Sequence, residues 1–243
     1  MAYAWRWLRS LVFIISIYIG MFFMALAFTP LAIVNRRYAF AAIHTWCNFV
    51  RWMARWMVGL RTEVRGEIPT GEVLLASKHQ SFLDIILIVS VVPRPKFIMK
   101  KQIKWTPIVG YYAHRIGCIA VDRGKRGAAI RKMVTDVASG AALPGQLIIF
   151  PQGTRVAPGA HLPYKIGTAV LYSETGQACV PVAANVGLFW PRRGIYRKAG
   201  LAVIEFLPQI EQGLSSDAFM ARLSTSVEQA SDALMAEAGF SQK

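Results

Sequence analysis

From Arg9 to Arg36 the chain carries no charged side chain, and this interval of 26 residues constrains its fold more than any other feature. A helix of that length would rise about 39 Å, more than the ~30 Å hydrocarbon core of a bilayer. Thr29-Pro30 interrupts the run, and Pro30 is expected either to kink the helix or to end it. Three placements follow. A cleaved secretory signal is suggested by Arg6, Arg9 and the small-residue match Ala25-Leu26-Ala27, although the run is long and aromatic-rich for a signal. The others are a single tilted span and a re-entrant pair of helices broken near Pro30–Asn35. Residues 38–58 favour anchoring: Trp46, Trp52 and Trp56 alternate with Arg51 and Arg55, a mixture suited to the headgroup region. The plainer reading is a helix buried against a soluble domain.

Composition bounds the rest. Of 243 residues, 54% are apolar and 17% charged, which excludes a disordered chain or a solvated coiled coil. The net charge is +15, unevenly spread: residues 1–65 carry +7, residues 78–132 carry +10, and the chain from Glu205 onward carries −4. An anionic partner is therefore expected at the first half. An apolar chain with this excess points to an anionic membrane surface before nucleic acid, for which no binding module is visible. Cys47, Cys118 and Cys179 show no paired spacing, which argues against disulfides or a zinc site and fits a reducing compartment.

After Arg65-Gly66 the pattern changes. Short β-rich runs at 73–77, 97–99, 117–121, 147–150, 179–184 and 201–207 alternate with helical stretches at 81–91, 107–115, 125–139 and 165–175. An amphipathic helix at about 215–238 closes the chain. Alternation of this kind predicts an α/β domain with a mainly parallel central sheet flanked by helices. The expected division is 1–62, membrane-anchoring or interfacial helices, and 63–243, the α/β domain.

Functional groups in such sheets gather where strands end. Lys78-His79-Gln80-Ser81-Phe82-Leu83-Asp84 follows the first expected strand. With a helix starting near Ser81, Asp84 can fold back to one imidazole nitrogen of His79 and leave the other free to take a proton. A capping box accounts for Ser81 and Asp84 but leaves His79 unexplained. Three more clusters occupy equivalent places: Gly117–Arg123, ending Asp122-Arg123; Phe150-Pro151-Gln152-Gly153-Thr154-Arg155; and Val180-Pro181-Val182-Ala183-Ala184-Asn185.

In this order and spacing the four blocks resemble those of the glycerophospholipid acyltransferase family, over roughly residues 70–190. The resemblance implies that His79 is the general base for a glycerol hydroxyl and that Asp84 orients it. It implies that Arg123, Gly153, Thr154 and Arg155 address the acceptor's glycerol phosphate, and that Pro181 belongs to the acyl-donor side. Lys100 and Lys101, with Lys104 nearby, resemble the basic stretch before the second block, one of which would also reach phosphate. One position departs: the family's third block reads Phe-Pro-Glu-Gly-Thr-Arg, and Gln152 stands where it has Glu. Gln keeps the reach and hydrogen-bonding capacity but not the charge.

The resemblance implies transfer of an acyl group from acyl-CoA or acyl-carrier protein to lysophosphatidate, with no metal or cofactor. A thioester is already activated, so a base and alignment suffice. Direct attack is expected rather than an acyl-enzyme, since Cys118 and Cys179 fall on strands as core residues. His161 is a minor candidate for substrate contact. Two alternatives remain: the same machinery on another lysolipid or on glycerol 3-phosphate, and a non-catalytic lipid-binding protein on the same fold. Arg36, Arg37, Arg51 and Arg55 outweigh Arg6 and Arg9, which for a single span puts the catalytic part on the cytoplasmic side of the inner membrane, while a re-entrant pair would put both ends there.

Overall fold

The computed structural model describes residues 2–121, 131, 134–135 and 144–241. Helix α1 (Ala2–Val34) runs through Pro30 without ending there. The break comes five residues later, where Asn35 N still donates to Leu31 O (2.9 Å) and Asn35 Oδ1 accepts from Arg37 N (3.0 Å). Carbonyls left over in the last turn, Ala32 O and Ile33 O, accept from the Arg115 guanidinium, a cation at the negative end of the helix. Helix α2 (Arg37–Met53) then folds back antiparallel on α1. Trp46 Nε1 donates to Ile17 O at 3.0 Å and Arg9 to Trp56 O at 3.2 Å. A π-helical turn (Ala54–Val58) ends on Gly59, whose φ of +70° is the left-handed conformation that stops helices.

The sheet follows. Its strands are β1 (Leu60–Arg65), β2 (Leu74–Ser77), β3 (Pro95–Lys100), β4 (Ile119–Val121), β5 (Gln146–Ile149), β6 (Cys179–Ala184) and β7 (Gly200–Phe206). They lie in the order β1-β7-β6-β2-β5-β3-β4, parallel throughout except β6 against β7. Helices α3 (Leu83–Val91), α4 (Val109–Arg115), α5 (Gly167–Thr175) and α6 (Ser216–Glu237) flank it. The expected mainly parallel α/β architecture is what forms. Most of the expected helix over 125–139, and Arg123, lie outside the described residues.

The strand period of two divides the core between two faces. Leu75, Ile148, Val180 and Val182 pack with Leu83, Ile86 and Leu87 of α3 and with Phe13 of α1. Leu74, Leu147 and Cys179 pack on the other face with Leu171 of α5 and Phe219, Leu223 and Val227 of α6. The α1–α2 hairpin covers the α3 side. Near its start α1 is tied down by Arg197 N donating to Ser10 Oγ (2.9 Å) and by Tyr3 stacked on Tyr196. Near its end Thr29 Oγ1 meets Tyr112 OH at 3.2 Å. Its outward face stays bare, with Phe22 56%, Phe23 61% and Leu26 66% exposed. Tyr3–Val34 is long and apolar enough to cross a membrane.

Candidate active site

Because β2, β5 and β6 are mutually parallel, their carboxyl ends open on one edge of the sheet. β2 is buried along its whole length, and Lys78 N continues its ladder to Val182 O before the chain leaves the sheet at His79. Asp84, on the first turn of α3, is fully buried. Its carboxylate accepts from Gln80 N and Ser81 N, both at 2.8 Å, and lies 3.0 and 3.1 Å from His79 Nδ1. Ser81 Oγ accepts from Leu83 N (3.1 Å). Asp84 thus serves both the turn before α3 and the pair with His79. The turn's own amides pin the carboxylate, and the carboxylate pins the ring.

An ionised carboxylate only accepts, so Nδ1 carries the imidazole proton and Nε2 keeps its lone pair. Nε2 bonds to no described residue, and the side chain is 14% exposed. The ring is also held flat: Phe150, at the end of β5, stacks on it with centroids 3.9 Å apart at 22°, and Phe97 of β3 backs Phe150. A histidine oriented in this way, with one nitrogen at the surface, can take a proton from an approaching hydroxyl.

The third block closes over the same turn. Val156 N donates to His79 O at 2.8 Å. Gly153 adopts φ +68°, where a side chain would be strained and would also meet the Lys165 ammonium. Arg155 is half-buried. It and Arg192 clasp each other, each guanidinium donating to the other's carbonyl at 3.2 Å. Neither has a carboxylate within 4.0 Å among the described residues. Lys100 and Lys101 are exposed where β3 ends. Pro181 is buried inside β6, opposite Ala76 of β2, behind the surface rather than on it. Asn185 ties the end of β6 to Val203 N and Leu234 O, a structural duty. Cys118 and Cys179 are held as thiols, their pKa pushed up to about 12, mainly by burial.

Behind the turn lies a second cluster to which the sequence gives no local pointer. Lys78 points to the opposite face from His79, is 2% exposed, and pairs with Glu228 of α6. The same carboxylate accepts from Gln152 Nε2 (3.2 Å) and Tyr164 OH (2.8 Å), and His161 Nδ1 lies 2.9 Å from it. His161 therefore faces α6 rather than the free nitrogen of His79. Burial and the neighbouring Glu228 raise the Tyr164 pKa, so the phenol remains a donor. Gln80 Oε1 accepts from Gly187 N at 3.0 Å, joining the His79 turn to the segment that carries Arg192.

Comparison with known proteins follows the same lines. The family described as Acyltransferase matches residues 59–185, more than half of the chain. The 1-acyl-sn-glycerol-3-phosphate acyltransferase of Pseudomonas aeruginosa is 28% identical over 167 residues, covering 68% of this chain and 65% of that protein. That of Cocos nucifera is 31% identical over 161 residues, covering 64% and 52%. The chain thus spans just under two thirds of the Pseudomonas protein's length and about half of the coconut protein's. A crystal structure of the 1-acyl-sn-glycerophosphate (LPA) acyltransferase PlsC from Thermotoga maritima superposes with a TM-score of 0.80 at 18% identity, over 96% of this chain and 99% of that one. On its four ordered blocks, its fold and the family match, the chain belongs to the acyltransferase family.

Proposed function

We propose that the chain transfers a fatty acyl group from acyl-CoA or acyl-carrier protein to the sn-2 hydroxyl of 1-acyl-glycerol 3-phosphate, giving phosphatidate. The observation that carries this reading is the His79–Asp84 pair, with Nδ1 on the carboxylate and Nε2 free. In the reaction His79 Nε2 takes the hydroxyl proton while the alkoxide oxygen bonds to the thioester carbon. The tetrahedral intermediate collapses, the carbon–sulfur bond breaks, and the thiolate leaves with the proton returned by His79. Asp84 stabilises the transient imidazolium. Every proton is accounted for without an acyl-enzyme, in keeping with thiols whose pKa lies near 12.

An acceptor phosphate suits Arg155 and Arg192, two guanidiniums beside the catalytic turn with no carboxylate within 4.0 Å among the described residues. Arg123, Gly153, Thr154, Lys100 and Lys101 belong to the same acceptor side in this reading, and Pro181 to the donor side. The membrane is the source of the acceptor. Both ends of α1 are bonded to the α/β domain, while Phe22, Phe23 and Leu26 between them are bare. This supports a helix lying along the cytoplasmic leaflet of the inner membrane with one face in lipid, rather than one leaving the domain to cross.

A substrate panel tests the reading: purified protein, lysophosphatidate and other lysolipids, acyl-CoA and acyl-carrier-protein donors, products identified by mass. Lysophosphatidate is the expected acceptor, and His79→Ala should lower turnover by ~10²–10⁴-fold. Near-normal turnover of that variant would refute the assignment.

A further inference from the structure

Gln152 stands where the family's third block has a carboxylate, and a carboxylate is nonetheless present beside it. The Gln152 amide makes its one hydrogen bond among the described residues to Glu228 Oε1, at 3.2 Å, while its own Oε1 is buried without a partner. Glu228 therefore orients this side chain. The same Glu228 holds Lys78, the residue next to His79, in a site where the ammonium is 2% exposed. It is the one carboxylate within 4.0 Å of that ammonium among the described residues. A buried ammonium left without a counter-charge is strongly disfavoured. Tyr164 and His161 brace the carboxylate from the loop after the third block.

The alternation of β2 makes this arrangement possible. Ser77 and His79 face α3, and Lys78 faces α6, so the catalytic turn is gripped on both faces: by Asp84 in front and Glu228 behind. Glu228 also reaches Gln152, which follows Phe150, the ring stacked on His79. One carboxylate thus ties the ends of β2 and β5, the two strands whose spacing fixes the imidazole between Asp84 and Phe150. A Glu at position 152 would set two carboxylates about 3.2 Å apart, which disfavours ionisation of both.

We propose that Glu228 is a positioning residue for acyl transfer. It supplies from the C-terminal helix the negative charge that the family pattern carries at position 152, and through Lys78 and Gln152 it holds His79 in register. The inference rests on His79 being the base.

The test is a charge swap in the full-length protein. Glu228→Gln should lower kcat about tenfold or more with acceptor KM within about twofold, because the lost contacts act on the turn and not on the acceptor. Gln152→Glu alone should also lower kcat. The double variant Glu228→Gln/Gln152→Glu should regain most of the loss, since it returns one carboxylate to the cluster that holds Lys78. A double variant no more active than Glu228→Gln, or a Glu228→Gln enzyme with wild-type kcat, would overturn the proposal. If Glu228→Gln does not fold, Glu228→Gln/Lys78→Met removes both buried charges; it should fold with lowered kcat, and wild-type kcat there would equally defeat the idea. His79→Ala in the same assay separates the two readings. Turnover by that variant defeats the base assignment, whereas an inactive His79→Ala beside a fully active Glu228→Gln defeats this inference alone.

Discussion

Asp84 shows how much one buried side chain can decide. Its carboxylate satisfies two backbone amides that would otherwise lack partners at the start of α3, and with its remaining capacity it selects the tautomer of His79. Asn at this position retains an acceptor for the amides but turns an N–H₂ group toward Nδ1. The ring must then protonate at Nε2, and the base is lost. Asp84→Asn should therefore keep its melting temperature within a few degrees while kcat falls by ~10²–10⁴-fold. Thermal unfolding and initial rates on one preparation check this; near-normal rates would contradict the role. The pair was legible in sequence because both members lie within a six-residue stretch. Glu228 was not: it sits 150 residues from Lys78, one of several acids on an amphipathic helix. Arg192 was missed: it stands in Trp190-Pro191-Arg192-Arg193, where nothing local joins it to Arg155.

At the scale of elements, short apolar runs marked β2 to β7 well, and β2 and β6 at the centre are buried along their whole length. β1 was missed. Leu-Arg-Thr-Glu-Val-Arg buries only Leu60 fully, and as an edge strand it is held by β7 rather than by its own apolarity. Pro30 was expected to kink or end α1 and does not end it. Proline removes one donor near the end of a long helix, while the final carbonyls gain Arg115 as a partner. The opposite end of α1 depends on packing: Phe13 is fully buried, edge-on to Trp190, which also carries the Arg197 guanidinium over its ring. Phe13→Ala should destabilise the fold by ~3–5 kcal/mol. Thermal unfolding in detergent would measure it, and an unchanged midpoint would mean that this contact is not part of the cooperative core.

For the whole molecule, the +15 is concentrated in the first half of the chain. The first 65 residues hold +7 beside a bare apolar face, and attraction of that kind is screened within about 8–10 Å at ordinary salt. Binding to phosphatidylglycerol vesicles should therefore fall several-fold between about 0.1 and 1 M salt, while weaker binding to neutral vesicles stays constant. Sedimentation with vesicles of the two compositions would show it, and equal, salt-independent binding to both would refute a charge-guided encounter. The amino-acid sequence by itself determined the apolar N-terminal helices, the α/β alternation, the His79–Asp84 pair and the family, because each is written in periodicity or short spacing. Tertiary structure alone decided that the helices form a hairpin tied at both ends to the domain, that Lys78 and His79 face opposite sides of the sheet, and that a carboxylate from α6 meets Gln152. Those are contacts between distant segments, and they come into being only when the sheet has set its strand order and the core has brought the ends of the chain together.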